Sequence, residues 1–272
     1  YIPGKIWNDI EGKPIMAHNG CVLYHEGTYY WYGKYLTGGV SCYSSKDLLN
    51  WTFEGEVFKP TKENPKVIYN EQTGKFVMWV HTNYDNKPCT AVAIGNSPTD
   101  RFINWHYFSH NDGMTLFVDD NKDAYLFYLS EYNETMCISL LSDDYQKPVK
   151  TFIFNSNNKS FRTPAVFKHN KKYYMLSASG NSQKPDEAEM FVADHILGKW
   201  ASMGNPCIGP DADKSFHAQS TFVIPVQGKE GIFIAMFDKW KKADYIWLPV
   251  IFDNEKPVIP WYDYWDTTVF MR

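Results

Sequence analysis

The chain has 272 residues, 44% of them hydrophobic and 21% charged, which is enough apolar material for one globular core and too much for a disordered segment. Its 27 basic and 31 acidic residues leave a net charge of −4 without runs of one sign, so neither nucleic acid nor an anionic membrane surface is an expected partner. No stretch approaches the roughly 18 consecutive apolar residues of a membrane-spanning helix, and the longest apolar runs, such as 232–237, have the length of a strand.

Read from the N-terminus, one unit recurs five times: a few polar residues, a short apolar strand, a turn, and a second strand rich in aromatics. The copies lie at 18–24 with 27–33, 63–69 with 74–81, 113–118 with 123–128, 163–167 with 172–177, and 219–224 with 231–237. Each reads as a β-hairpin. Two further candidate strands follow every hairpin: 40–44 with 51–53, 91–95 with 105–108, 136–141 with 150–154, 190–193 with 201–203, and 245–252 with 257–261. The residues three places before each first apolar pair are Asn19, Asn64, Gly113, Thr163 and Gln219, separated by 45, 49, 50 and 56 positions. A period of that size with four strands per repeat predicts an all-β, five-bladed β-propeller forming a single domain over 1–272, with a β-sandwich of similar strand count as the alternative. Helical patterning is confined to single turns at 45–50 and 194–198.

Five cysteines, at 21, 42, 89, 137 and 207, are odd in number and lack any CxxC pair, so they are expected as buried thiols rather than as a zinc site or a disulfide framework. The sequence opens at Tyr1 without a Met, as a processed or trimmed chain would, and a secreted or periplasmic location is the expectation. Nothing in the pattern calls for more than a monomer.

In a propeller the first strand of each blade lines the central channel, so residues just before it converge on one end of the axis. An aromatic-rimmed pocket there suits a sugar ring, whose apolar face stacks on aromatic side chains, and an oligo- or polysaccharide is the expected partner. Trp31, Tyr84, Tyr132, Trp240 and Trp261 lie in or near loops and strand ends, although most aromatics in such a fold pack between blades. His18, His81 and His217 sit beside the same places, and no metal-ligand spacing links them. No cofactor is expected.

At this point the chain resembles glycoside hydrolase family 43, and within it the exo-β-1,3-galactanase-like group. The likeness runs through Ala17-His18 and the Gly27-Thr28-Tyr29-Tyr30-Trp31-Tyr32-Gly33 strand, Ser41-Cys42-Tyr43-Ser44-Ser45, Pro65-Lys66-Val67-Ile68-Tyr69-Asn70, Met114-Thr115-Leu116-Phe117, Gln219-Ser220-Thr221-Phe222-Val223 and Trp261-Tyr262-Asp263. The resemblance implies a five-bladed propeller and inverting hydrolysis of a galactose-containing plant polysaccharide, with a protonated carboxyl and a base roughly 6.5–9.5 Å apart. It implies Gln219, Glu63 and Asp112 as catalytic candidates, with Glu187 as a replacement acid from the 186–189 loop. His18, Asn19, Trp31, Tyr84, Glu131, Thr163 and Trp240 are the substrate-binding candidates.

The family's general-acid Glu lies in an Arg-Glu-Ala-Pro-like segment, which here reads Phe161-Arg162-Thr163-Pro164, and Thr163 is taken as the acid position. A threonine hydroxyl cannot protonate a leaving oxygen, so impaired catalysis is expected. The third-blade Asp falls on Gly113 with Asp112 one place earlier, and Lys34 stands where the group has Glu. The expected function is therefore an exo-β-1,3-galactosidase-like hydrolase lacking its usual acid, with a non-catalytic glycan-binding propeller as the alternative. Some members of the wider family carry a calcium ion in the central channel.

Overall fold

The computed structural model describes residues 1–35, 38–59, 63–109, 112–129, 135–154, 161–179, 186–239 and 244–271. Five antiparallel sheets form a ring. Blade one is His18–His25, Thr28–Lys34, Val40–Ser45 and Thr52–Phe58; blade two is Glu63–Asn70, Lys75–Tyr84, Lys87–Gly95 and Ile103–Ser109. Blade three is Asp112–Val118, Ala124–Leu129, Met136–Leu141 and Pro148–Phe154; blade four is Phe161–His169, Lys172–Ser179, Ala188–Ala193 and Ala201–Gly204. Blade five runs Ala218–Pro225, Phe233–Lys239, Asp244–Asp253 and Lys256–Pro260. The first strands touch in cyclic order, the fifth closing on the first. This is the expected five-bladed propeller.

Local chemistry explains the hairpins. The turns Glu26-Gly27, Asp85-Asn86, Asn170-Lys171 and Asn254-Glu255 all have positive φ at both residues, the backbone that matches the twist of two-residue hairpins and that Gly, Asn and Asp accept at least cost. The segments 45–50 and 194–198 are bends and turns rather than helix. In the first of them the Asp47 carboxylate accepts from the Leu49 and Asn50 N–H groups at 2.9 and 2.8 Å and so replaces a helical turn. The helical pieces are the 3-10 segments Ala212–His217 and Thr267–Met271.

Blade five carries two additions that repeat-counting does not foresee. Lys5–Ile6 pairs antiparallel with Asp244–Asp253, and Cys207–Ile208 pairs parallel with Lys256–Pro260. The Tyr1 ammonium donates to the Trp265 carbonyl at 2.6 Å, tying this edge to the end of the chain. Beneath it the seam between blades one and five is a block of buried rings in which Trp31 lies 5.3 Å from Trp51, 4.7 Å from Tyr245 and 4.8 Å from Trp247. Aromatic pairs of this kind add to the area they bury. All five cysteines are buried free thiols, as expected.

Candidate functional site at the start of the inner strands

The five inner strands begin at the same end of the channel, and there the ladders break. The last rung before each break is formed by His18 with Lys34, Glu63 with His81, Asp112 with Leu129, and Arg162 with Ala178, blade four having one more rung, Phe161 with Ser179, ahead of it. The residue after each of these is left-handed: Asn19 at φ 51°, Asn64 at 62°, Gly113 at 51° and Thr163 at 41°. Pairing resumes only at Cys21, Lys66, Thr115 and Ala165. Blade five breaks later, after Ser220, with Gln219 opposite Asp238. One bulge is thus repeated around four blades, and a bulge re-aims the residues beside it.

The bulges are held from blade to blade. Lys66 reaches back from blade two and donates to Gly20 O at 2.6 Å and Asn19 O at 3.3 Å. Asn64 Nδ2 donates to Met114 O at 3.0 Å. Gln219 Nε2 donates to Thr163 Oγ1 at 2.8 Å and Ser220 Oγ to Thr163 O at 3.3 Å. The Asn19 N–H donates to Asp238 Oδ2 at 2.6 Å and so joins blade one to blade five. Gly113 is required where it stands, since a Cβ would sit 3.0 Å from Thr163 N on a left-handed backbone. Thr163 is β-branched, the residue type least suited to positive φ, and it persists because two bonds from blade five over-determine it.

Among the titratable groups buried or half-buried here are Asp238, Lys66 and His18. Asp238 is 4% exposed, and its Oδ1 has no hydrogen-bond partner among the described residues. Burial pushes its carboxyl up to about 7, against the pull of the Asn19 N–H and the Lys66 ammonium. Burial draws the Lys66 ammonium down to about 8. The His18 imidazole lies 3.8 Å from Asp238 Oδ2, too far for a hydrogen bond, and burial followed by the Lys34 charge holds it below its usual range.

These positions correct several expectations. The residue of blade four on the rung of Glu63 and Asp112 is Arg162, and matching Arg-Glu-Ala-Pro step by step to 161–164 also puts Arg162 in the place of Glu; Thr163 lies in the bulge. Asp112 needs no loop shift, because its backbone already stands on the rung of Glu63. Trp31 is fully buried in the seam and cannot stack on a sugar. Trp261 packs on Phe216 at the outer edge of blade five. Glu187 is exposed, and its charge acts on Cys207 in the outermost strand of that blade, which puts it at the rim and off the axis. Glu189 is spent on a hydrogen bond from Ser202. His217 pairs with Asp211 at 3.3 Å.

Tyr84 remains available: it is 59% exposed at the tip of the blade-two hairpin, 4.5 Å from the ring of Tyr107. His18, Asn19, Thr163 and Gln219 do come together at the axial end, whereas Glu131, Tyr132 and Trp240 lie outside the described residues. Asp238 and Lys66 were missed. The signal for each was a single charge inside an apolar strand, Phe237-Asp238-Lys239 and Lys66-Val67-Ile68.

No three His, Cys, Asp or Glu side chains are grouped to hold a metal among the described residues. At this level of the channel the Lys66 ammonium sits on the carbonyls of Asn19 and Gly20. A cavity of about 660 Å³ opens at the opposite mouth between Leu23, Tyr69, Phe117, Lys168 and Phe222, with Lys66 in its lining. It is separate from the ring of bulges.

The five-bladed propeller brings an imidazole and amides to one end of its axis, with the backbones of Glu63 and Asp112 on matching rungs of adjacent blades there. The chain belongs to the glycosyl hydrolases of family 43, whose family model matches residues 13–234. No curated protein matches it by sequence. Among solved structures it is similar to a family 43 β-1,3-galactosidase with galactodeoxynojirimycin, at 34% identity and a TM-score of 0.87 over 98% of this chain and 100% of that one. It is also similar to the exo-β-1,3-galactanase of Phanerochaete chrysosporium with β-1,3-galactotriose, at 26% identity and a TM-score of 0.87. That likeness covers 97% of this chain and 67% of the fungal one. The exo-β-1,3-galactanase of Clostridium thermocellum is 29% identical at a TM-score of 0.87, over 97% of this chain and 65% of that one. No helix among the described residues is long and apolar enough to cross a membrane.

Proposed function

We propose that the axial end binds the terminal galactose of a β-1,3-linked galactan, and that the chain is an exo-β-1,3-galactosidase-type hydrolase of reduced activity. The observation that carries this reading is the shared rung. Glu63 and Asp112 stand on it in adjacent blades with Gln219 completing the ring, while the fourth blade offers Arg162. Carboxylates and amides suit the hydroxyl groups of a neutral sugar. A guanidinium never releases its proton near neutral pH, so the fourth blade gives a leaving oxygen no acid from its place on that rung.

Arg162 equally favours a second reading, a glycan-binding propeller that has given up the chemistry. Galactose release from β-1,3-galactobiose, measured beside its binding, separates the two. Slow release that Glu63→Gln abolishes supports the hydrolase, and binding without release supports the binding module. Absence of both overturns the galactan reading. Arg162→Glu is expected to raise release by about 10²–10⁴-fold, the usual worth of a placed general acid. A polysaccharide ligand fits a secreted or periplasmic location, and a monomer suffices because one chain supplies the whole ring.

A further inference from the structure

Asp238 is used by nothing in the reading above, yet it is the most constrained ionisable group at the axial end. It sits on the second strand of blade five, opposite Gln219, and its Oδ2 takes the Asn19 N–H of blade one at 2.6 Å. That N–H belongs to the left-handed residue directly after His18. The carboxylate therefore reaches across the seam and fixes the turn that presents the blade-one imidazole, which is itself only 3.8 Å away. Its second oxygen is buried with no hydrogen-bond partner among the described residues, and the Lys66 ammonium is the opposite charge that acts on it.

We propose that Asp238 is a positioning residue of the galactose site: through the Asn19 N–H it sets the blade-one bulge and the His18 imidazole, and one proton on its carboxyl loosens both. This rests on the galactose reading of the same site. The ionised carboxylate is the stronger acceptor, since charge-assisted hydrogen bonds are shorter and roughly twice as strong as neutral ones. The blade-one bulge is accordingly tight when Asp238 is ionised and slack when it is protonated.

The groups that act on this carboxyl or on its neighbours come from four strands: Lys66 from blade two and Tyr245 from the third strand of blade five couple to Asp238 itself, His18 on the first strand of blade one lies 3.8 Å away, Cys21 on that strand couples to Lys66, and Lys34 and Asp244 couple to His18. Burial holds His18 below its usual range and raises the Cys21 thiol and the Tyr245 phenol above theirs. Lys66 releases its proton near pH 8. Burial brings Asp238 to about 7, and Asp238→Asn separates its transition from that of Lys66.

The test is calorimetric binding of β-1,3-galactobiose, a ligand with no ionisable group, between pH 5.5 and 8.5. Affinity of the wild type should tighten about tenfold as pH rises through 7. Asp238→Asn keeps the shape and an oxygen acceptor for Asn19 but cannot ionise, and its affinity should not change over this range. A variant that retains the wild-type pH profile, or a flat wild-type profile, overturns the proposal. The ring-nitrogen NMR shifts of His18 give a second readout that needs no ligand and no variant. In the wild type they should show an inflection near pH 7 besides the imidazole's own at lower pH, and its absence overturns the proposal. If galactobiose binds at no pH while the His18 inflection is present, the galactose reading fails and the Asp238 coupling stands.

Discussion

The two mouths of the channel are made by the same five strands, one from their first residues and one from their last, and they are built differently. At the far mouth the inner ladders run in register, the walls are largely apolar, and a cavity of about 660 Å³ remains. At the near mouth four ladders break at one rung, a left-handed residue follows each break, and side chains from neighbouring blades satisfy the backbone freed there. Backbone strain therefore marks the end where polar groups converge, and regular ladders mark the end where this cavity opens. Backbone strain is retained where the surroundings over-determine it.

The bulge of blade one offers the harshest way to break this contrast. Gly20 and Gly33 lie where two strands touch without side chains: a Cβ on Gly20 would fall 1.8 Å from Tyr32 O, and one on Gly33 would fall 2.1 Å from the Ala17 carbonyl carbon. Neither obstacle is a flexible side-chain end, so the strands themselves must separate. Gly20→Ala is expected to cost about 4 kcal/mol or more, which is comparable to the whole stability of many domains, and chemical denaturation should show it. A variant as stable as the wild type would mean that the bulge is not the rigid element described.

Next in size is the pH response of Asp238. Its folded-state value of about 7 lies above the roughly 3.9 of an unfolded aspartate, so between those values the folded state holds a proton that the unfolded state has lost. Stability should therefore fall as pH rises from about 4 to 7, and the full penalty, on the order of 2–4 kcal/mol, persists above 7. Asp238→Asn should flatten that slope in urea melts taken at intervals of pH. An unchanged slope would assign it to other groups.

How much of this was legible beforehand differs between fold and site. The propeller could be read because its signals are local: Glu26-Gly27 and Asn170-Lys171 each close a hairpin within a few residues. The site could be read only in outline. Counting from the apolar pairs found the bulged residues, Asn19, Asn64, Gly113 and Thr163, but not the rung before them, because a bulge adds a residue that spacing counts and a ladder does not. Trp31 lies in a strand with aromatics at 29, 30, 31 and 32, where alternation gives no sign of which ring meets solvent. Asp238 and Lys66 owe their burial to a neighbouring blade, and no window along the chain contains both partners.

Lys66 sharpens the comparison because it belongs to both mouths, as a strap under the near bulges and as part of the lining of the far cavity. Lys66→Met keeps the length of the side chain and removes the donor from Gly20 O and Asn19 O. Loss of those bonds is expected to outweigh the relief of a buried charge, for a net cost of about 1–3 kcal/mol. The same variant should lose a second feature. With a folded value of about 8 against roughly 10.4 unfolded, the wild type gains stability as pH rises from 8 to 10, because there the unfolded state binds more protons. Melting curves of Lys66→Met that still rise over that range would remove this account.

The smallest expected effect is at the far mouth, and it decides whether the two ends are separate in function. Phe222 is half-buried at the cavity wall, between the core of blades one and two and that of blades four and five. Phe222→Ala should lower stability by about 1–2 kcal/mol, less than a fully buried ring would. It should leave β-1,3-galactobiose affinity within about twofold, since its ring lines the far cavity and cannot make a cross-blade hydrogen bond. His18→Gln should do the reverse, weakening binding at least about tenfold while changing stability little, because a quarter of its side chain is already exposed. Equal loss of affinity in both variants would mean that sugar occupies the far cavity after all, and that the bulged rung serves only to close the ring.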